Sequence, residues 1–403
     1  MPTSAEIHEA ANYDEKSIAS YSLPNPLRRA DGTPVKNAFE WVNFRRPEIL
    51  AEFKRVMYGD VPPRPDAVSF EILSERGDAL DGQAVRREIR LTFAMNNGRS
   101  HTVDVLVYTP KQVKSAPVFI GLNFGGNHTT TTEPDVAPTG MRGGDAAHAM
   151  PAGAQIRRWI FPEVIARGYA SITASYHDFF PDREDGWPSS ALSLFFTPSE
   201  MAAARPRFSA IGVWAWGLSR LLDLAECLPG IDAGRAAVHG HSRLGKTALW
   251  CGALDRRFRL ICSNDSGCGG AAIARRNFGE SLQSMITASP FSHWFVTELG
   301  KYAADPATLP VDQHELIALA APRPVVVHSA TLDQWADPTG EYLSCYHAGE
   351  VYRLFGGCGL ATATPPPPDT PLSGDVSYLL RTGPHDQVAA DWAHYLDLAD
   401  RWL

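Results

Sequence analysis

Residues 236–250 read AAVHGHSRLGKTALW. A short apolar run, Ala236 to His239, leads into Gly240, Ser242 and Gly245, and the apolar positions beyond recur at helical spacing. A buried run that ends in glycine and passes straight into a helix is a strand-turn-helix unit. A serine held on so tight a turn projects its hydroxyl above the sheet edge, while the free N–H groups and dipole of the new helix favour a developing negative charge. The spacing is G-x-S-x-x-G rather than the commoner G-x-S-x-G, and a serine that only caps a helix after a strand would leave the same local pattern.

Similar alternation surrounds this unit. Short continuous apolar runs at Pro117 to Leu122, Ala170 to Thr173, Leu260 to Ser263 and Pro324 to His328 are separated by amphipathic stretches at Trp159 to Arg167, Ala210 to Cys227, Lys246 to Leu254 and His314 to Leu319. Strands buried on both faces read this way in a parallel sheet. Before them, Val68 to Leu73, Arg86 to Phe93 and Thr102 to Tyr108 alternate apolar and polar residues, as half-buried hairpin strands do. A last helix is expected over Val388 to Leu403. Residues 1–60 read as an irregular, partly helical lead-in, with a helix over Arg46 to Tyr58 that stops at Gly59. The expected fold class is α/β: a mostly parallel central sheet flanked by helices in three layers, with an antiparallel N-terminal edge.

The 403 residues allow two or three domains by length, but no linker separates them, and 33 glycines and 31 prolines are spread along the chain. One loop-rich domain, 1–403, is the expectation. Its most biased segment, Thr362 to Thr370 (TATPPPPDT), reads as a stiff surface loop. With 45 Asp+Glu against 37 Lys+Arg and a net charge of −8, the chain lacks the basic surplus that nucleic acid or an anionic membrane surface demands. No apolar stretch is long enough to span a bilayer, and the N-terminus MPTSAEIHEAANYDEKS has no leader pattern, so the chain reads as cytosolic or as lacking its leader. Six cysteines without a C-x-x-C pair argue against structural zinc; most are expected to be buried small hydrophobes, with room for a disulfide or two.

A serine nucleophile needs a histidine to take its proton and a carboxylate to hold that histidine in the right tautomer. The order Ser, acid, His is that of α/β-hydrolases. His385, in the Gly-Pro loop RTGPHDQ before the last helix, fits the third place, whereas His241 is too near Ser242 in sequence to face it. Two acids compete. Asp333 follows the run PVVVHSA, and Asp265 follows LICS in the small-residue loop NDSGCGG. The Gly-rich segment GLNFGGNH, Gly121 to His128, is a candidate source of backbone donors for an oxyanion, or else a tight turn alone.

GHSRLGKTALW, NDSGCGG, the RRNFGE of Arg275 to Glu280, the LDQWADPTGEY of Leu332 to Tyr342 and GPHDQVAADW, taken with RRPEILAEFKRVMYG, together resemble the glucuronoyl esterases of carbohydrate esterase family 15, from about Trp41 to the C-terminus. The resemblance implies an α/β-hydrolase that cleaves the ester between 4-O-methyl-glucuronic acid of xylan and lignin alcohols, through an acyl-enzyme, without metal or organic cofactor. It implies Ser242 as nucleophile, His385 as base and Arg243 as the residue that steadies the oxyanion. Fungal members carry a longer glutamate at the position of Asp265; the shorter side chain here reaches less far, which favours Asp333. On the sugar side the resemblance implies Lys246, Glu280 and Trp335, which the chain alone would equally allow to be a solvated lysine, a surface charge and a core indole. Family members are mostly exported, so a secreted or periplasmic monomer acting on glucuronoxylan or lignin-carbohydrate esters is implied.

Two further readings stand beside this one: an acetyl or feruloyl xylan esterase or general carboxylesterase, and a carbohydrate-binding protein on a hydrolase scaffold without turnover.

Overall fold

The structure, a computed structural model, describes residues 4–140, 150–287 and 291–403; the first three residues of the expected lead-in lie outside these. Three long strands, β1 (Ala67–Asp78), β2 (Ala84–Ala94) and β3 (Ser100–Pro110), pair antiparallel in succession. They are followed by β4 (Ala116–Asn123), β5 (Ala170–Ser175), β6 (Ile231–His241), β7 (Phe258–Asn264), β8 (Val325–Ala330) and β9 (Val376–Arg381). The nine form one sheet in the order β1-β2-β3-β5-β4-β6-β7-β8-β9. β3 meets β5 antiparallel, and from β5 to β9 every neighbour is parallel.

The continuous apolar runs follow from burial on both faces. Val118, Ile120 and Leu122 of β4, Val238 of β6, Ile261 of β7 and Val325 and Val327 of β8 pack into one core, whereas Phe119, Ala237, Leu260, Cys262 and Val326 pack into the other. On the first side lie α1 (Arg46–Phe53), α2 (Ala210–Ala225), α3 (Arg243–Leu254) and α4 (Pro338–Arg353); on the second, α5 (Ala389–Trp402) inserts Trp392, Tyr395 and Leu396. This is the three-layer arrangement of an α/β-hydrolase.

From β4 the chain passes to β5 on one side and then crosses to β6 on the other, and this reversal of direction opens a crevice at the carboxyl ends of these strands. α3 starts at that crevice. At its far end Arg46 donates to the Ala253 carbonyl and Arg323 to Gly252 at 2.6 Å, so cations satisfy carbonyls that the helix C-terminus leaves open.

Several expectations need correction. The helix expected from Trp159 covers only Phe161–Ala166, and that from His314 covers Gln313–Ala318, capped by Asp312 and Glu315. β9 and α4 are additions. The buried face of α4 is built partly from Gly340, Ser344, Cys345, Ala348 and Gly349, small residues that give little apolar periodicity. No disulfide forms: all six cysteines are free, with Cys251, Cys262, Cys268 and Cys345 buried and Cys227 and Cys358 exposed.

Candidate active site

Four neighbouring parallel strands deliver the candidate residues at their carboxyl ends. Ser242 follows β6 directly and Asp265 follows β7; Asp333 comes three residues after β8 and His385 four after β9. Ser242 has φ 57° and ψ −129°, a conformation costly for any residue with a Cβ. The turn is held by Ser242 N–H donating to the Asn264 carbonyl at 2.8 Å and by Gly245 and Lys246 N–H groups donating to the Ser242 carbonyl. A Cβ at Gly240 would collide with the Leu244 carbonyl, so only glycine lets strand and helix approach this closely.

β8 and β9 are in register, with Ala330 opposite Arg381, and their loops stay laced beyond the sheet: Thr331 N–H donates to the Arg381 carbonyl and Leu332 N–H to Gly383, both at 2.9 Å. This lacing brings His385 Nδ1 within 2.6 Å of Asp333 Oδ2. Asp333 is buried, and its other oxygen accepts from Ala336 N–H. The imidazole is 40% exposed, so its second nitrogen is open to the crevice.

Asp265 takes a different place. Its Oδ2 accepts from the Asp386 backbone N–H at 3.2 Å and faces Arg381 Nη2 at 3.6 Å, while Arg381 donates to the Pro384 and Asp386 carbonyls. The carboxyl therefore braces the backbone of the histidine loop. Its other oxygen is buried without a partner, and burial, reinforced by Asp333 and Glu341, pushes its pKa well above the carboxylate range. His241 is buried beside His385 with ring centroids 4.5 Å apart, bonds Asn264, and is held neutral by burial and by His385. Asp265, Asp333 and His385 offer donor atoms within 4.8 Å of one another, a metal-like set among the described residues; His385 Nδ1 is already committed to Asp333.

Two cavities meet at Ser242, Arg243, Phe291 and His385. The wider, about 450 Å³, is bounded by Phe124, Arg158, Tyr176 and His177; the other, about 300 Å³, by Lys246, Glu280, Trp294 and Trp335. Phe124 brings the Gly121 to His128 loop opposite the elbow. That loop is shaped by Gly126, whose φ of 93° and contact with the Thr139 carbonyl exclude a side chain.

Lys246 and Glu280 are buried, and Trp335 stands half-buried at the cavity wall. None is the solvated lysine, surface charge or core indole that the sequence also allowed. Lys246 Nζ donates to Glu280 at 2.6 Å and to the Ser266 and Cys268 carbonyls at 2.7 and 2.6 Å, which uses all three ammonium protons. Arg243 Nη1 pairs with Asp182. Trp294 stands between the two cations, 4.5 Å from Arg243 and 5.9 Å from Lys246. The His8 ring stacks on Trp335 at 3.9 Å.

Sequence reasoning missed Asp182, Trp294, His8 and Glu341. The last accepts from the Ser266 and Gly267 N–H groups and from the Ser266 and Ser329 hydroxyls, fixing the loop that carries Asp265. Its helical spacing after Asp337, an N-cap ahead of Pro338, could have marked it as inward-facing.

Residues 165–356 match a family model described as glucuronyl esterase, fungi. The chain is 40% identical, over 97% of its length and 92% of the relative, to carbohydrate esterase MZ0003 of an unknown prokaryotic organism. It is 27% identical to 4-O-methyl-glucuronoyl methylesterase 1 of Wolfiporia cocos, over 88% of this chain and 78% of the other. A solved structure described as a promiscuous CE15 esterase from the marine bacterial metagenome superposes with a TM-score of 0.88 at 39% identity, covering 98% of this chain and all of that one. Among the described residues no helix is long and apolar enough to cross a membrane.

Proposed function

The chain belongs to carbohydrate esterase family 15, the glucuronoyl esterases, and from that premise we propose that it hydrolyses esters of glucuronic acid, including 4-O-methyl-glucuronic acid on xylan joined to lignin alcohols. The observation that carries this reading is the join of a nucleophile elbow and a His385–Asp333 pair with a cavity of about 300 Å³ lined by Lys246, Glu280 and Trp335. A sugar ring has hydroxyls for a carboxylate to accept from and a face for an indole to lie against. An acetylesterase needs room for a methyl group only.

In the proposed reaction the free nitrogen of His385 takes the Ser242 proton as Oγ attacks the uronoyl carbonyl, and Asp333 stabilises the imidazolium. Arg243, beside Ser242 where both cavities meet, stabilises the oxyanion as charge develops. The tetrahedral intermediate collapses, the alcohol leaves with the proton from His385, and the uronoyl group stays on Ser242. Water, deprotonated by His385, then releases the acid. The wider cavity, with Phe124, Tyr176 and Phe291, accepts the alcohol. The 403 residues act as one catalytic domain.

Turnover of a benzyl glucuronate ester compared with acetylated and feruloylated xylan tests the assignment. A glucuronoyl esterase turns over the first far better; preference for the acetylated polymer would move the chain to the acetylesterase reading.

A further inference from the structure

Arg243 and Lys246 lie three residues apart on α3, so two cations share one face of a helix. Each has its own acid: Lys246 is bound to Glu280 and Arg243 to Asp182, and the Trp294 indole lies between the pairs. Asp182 comes from outside the four strand ends that supply the other groups. It lies in the loop after β5 and its side chain is 4% exposed. Besides Arg243, Oδ2 accepts from the Tyr176 hydroxyl at 2.9 Å, and Oδ1 accepts from His293 Nε2 at 2.8 Å and Trp294 Nε1 at 2.7 Å. Its own backbone N–H donates to His177 Nδ1 at 3.1 Å. Burial opposes ionisation of this carboxyl, but Arg243, His293 and Trp294 outweigh it and hold it well below the usual range.

The guanidinium is thus gripped at one end. Three rings stand around it, Trp294 at 4.5 Å, Phe291 at 5.3 Å and Phe124 at 5.9 Å, and its Nε is buried without a partner. Arginine is a long, rotamer-rich side chain, and placing its N–H groups where an oxyanion forms requires that rotamer freedom be removed in advance. With Asp182 gone, Glu280, which also acts on Arg243, could capture it only by leaving Lys246.

We propose that Asp182 is the positioning residue for Arg243, fixing the guanidinium at the junction of the two cavities so that it acts on the transition state rather than on bound substrate. The proposal rests on the reading of Arg243 as the oxyanion residue. Two effects of opposite sign meet here. A carboxylate near a developing oxyanion repels it, so removing the charge would speed the reaction if through-space electrostatics dominated; loss of the grip on Arg243 slows it. The positioning effect wins in this geometry, because the Asp182 carboxylate is paired with the guanidinium it holds and is further committed to Tyr176, His293 and Trp294.

The test is a double-mutant cycle on a benzyl glucuronate ester, with kcat expressed per site titrated by a fluorophosphonate. Asp182→Asn lowers kcat about tenfold or more with KM changed less than about twofold, and adds almost nothing in the Arg243→Ala background. A merely structural role would lower the titrated fraction and melting temperature equally in both backgrounds, leaving kcat per site intact. Unchanged or raised kcat per site in Asp182→Asn, or equal losses in both backgrounds, overturns the proposal. A silent Arg243→Ala sinks the oxyanion reading itself, whereas a damaged Arg243→Ala with a silent Asp182→Asn sinks only the role of Asp182. Should Asp182→Asn not fold, Trp294→Phe, which removes one donor to Oδ1 and keeps a ring beside Arg243, gives a smaller fall in kcat; no fall refutes the positioning.

Discussion

His385 Nδ1 lies 2.6 Å from Asp333 Oδ2, while Asp265, one strand away, spends its Oδ2 on the backbone N–H of Asp386. The two acids at adjoining strand ends therefore do different work. One meets the imidazole, and the other shapes the loop that carries it. The division follows from where each backbone places its carboxylate: Asp333 extends from a loop laced to the histidine loop, whereas Asp265 sits immediately at the end of β7 with φ 44°.

Asp333→Asn is therefore expected to lower kcat by roughly 10²-fold or more, because it removes a charge-assisted bond and disturbs the tautomer of His385. Asp265→Asn is expected to cost less, since an amide oxygen still accepts from Asp386 N–H. Steady-state kinetics on one glucuronate ester decide it; a near-silent Asp333→Asn with a crippled Asp265→Asn reverses the assignment.

Ser242→Ala is expected to remove turnover by several orders of magnitude with the fold intact. The strained backbone at Ser242 adds a finer expectation. Relief of a positive-φ conformation is worth about 1–3 kcal/mol, and glycine loses about 0.5–1 kcal/mol to unfolded-chain entropy. Ser242→Gly should therefore be more stable than Ser242→Ala by about 1 kcal/mol in denaturant unfolding. A Ser242→Gly midpoint below that of Ser242→Ala at equal slope, as glycine's entropy cost of about 0.5–1 kcal/mol alone would give, would show that the elbow stores no strain.

The sheet was legible because strands buried on both faces announce themselves as short apolar runs, and the helices between them by period. β9 is harder to read: VSYLLR is a six-residue run interrupted by Ser377 and ended by Arg381, and α4 hides its inner face in small residues. The residues brought around the two cavities, Ser242, Arg243, Lys246, Glu280, Asp333, Trp335 and His385, all lie in strings distinctive enough to read in order. Asp182 and Trp294 were not legible for a physical reason. They act on a residue more than forty positions away in sequence, through hydrogen bonds and ring contacts that leave no periodic trace.

Lys246 and Glu280 form a buried pair whose partners cannot be lost singly without cost. Lys246→Met strands the Glu280 carboxylate, 9% exposed, and two carbonyls. Breaking such a pair costs about 3–5 kcal/mol. Combining Lys246→Met with Glu280→Gln should restore part of that loss, since no ion is then left uncompensated. Urea unfolding of the singles and the double checks this; a double less stable than Lys246→Met alone would mean that the pair is not the source of the cost.

Glu341 gives the stability a pH dependence of its own. Fully buried, it accepts from Ser266, Gly267 and Ser329, yet burial outweighs those donors and, with Asp333 adding repulsion, pushes its pKa up from 4.5 to about 7. The folded state then holds a proton that the unfolded chain has released, so the contribution is fully present below about pH 4.5 and is lost as pH rises through 7. Glu341→Gln keeps an acceptor for the Ser266 and Gly267 N–H groups and offers its amide to the Ser329 hydroxyl, with nothing left to ionise. Near pH 4.5 variant and wild type should have similar stability. By pH 8 the variant should be the more stable by on the order of 3–4 kcal/mol, the equivalent of the shift from 4.5 to about 7 at about 1.4 kcal/mol per unit. Asp337, raised by burial to about 6, gives a similar slope in both proteins and cancels in the difference. Denaturant unfolding of the two proteins from pH 4.5 to 8 measures that difference directly. Parallel curves would show that the Glu341 carboxylate is ionised throughout, and that its four donors, not its burial, set its charge.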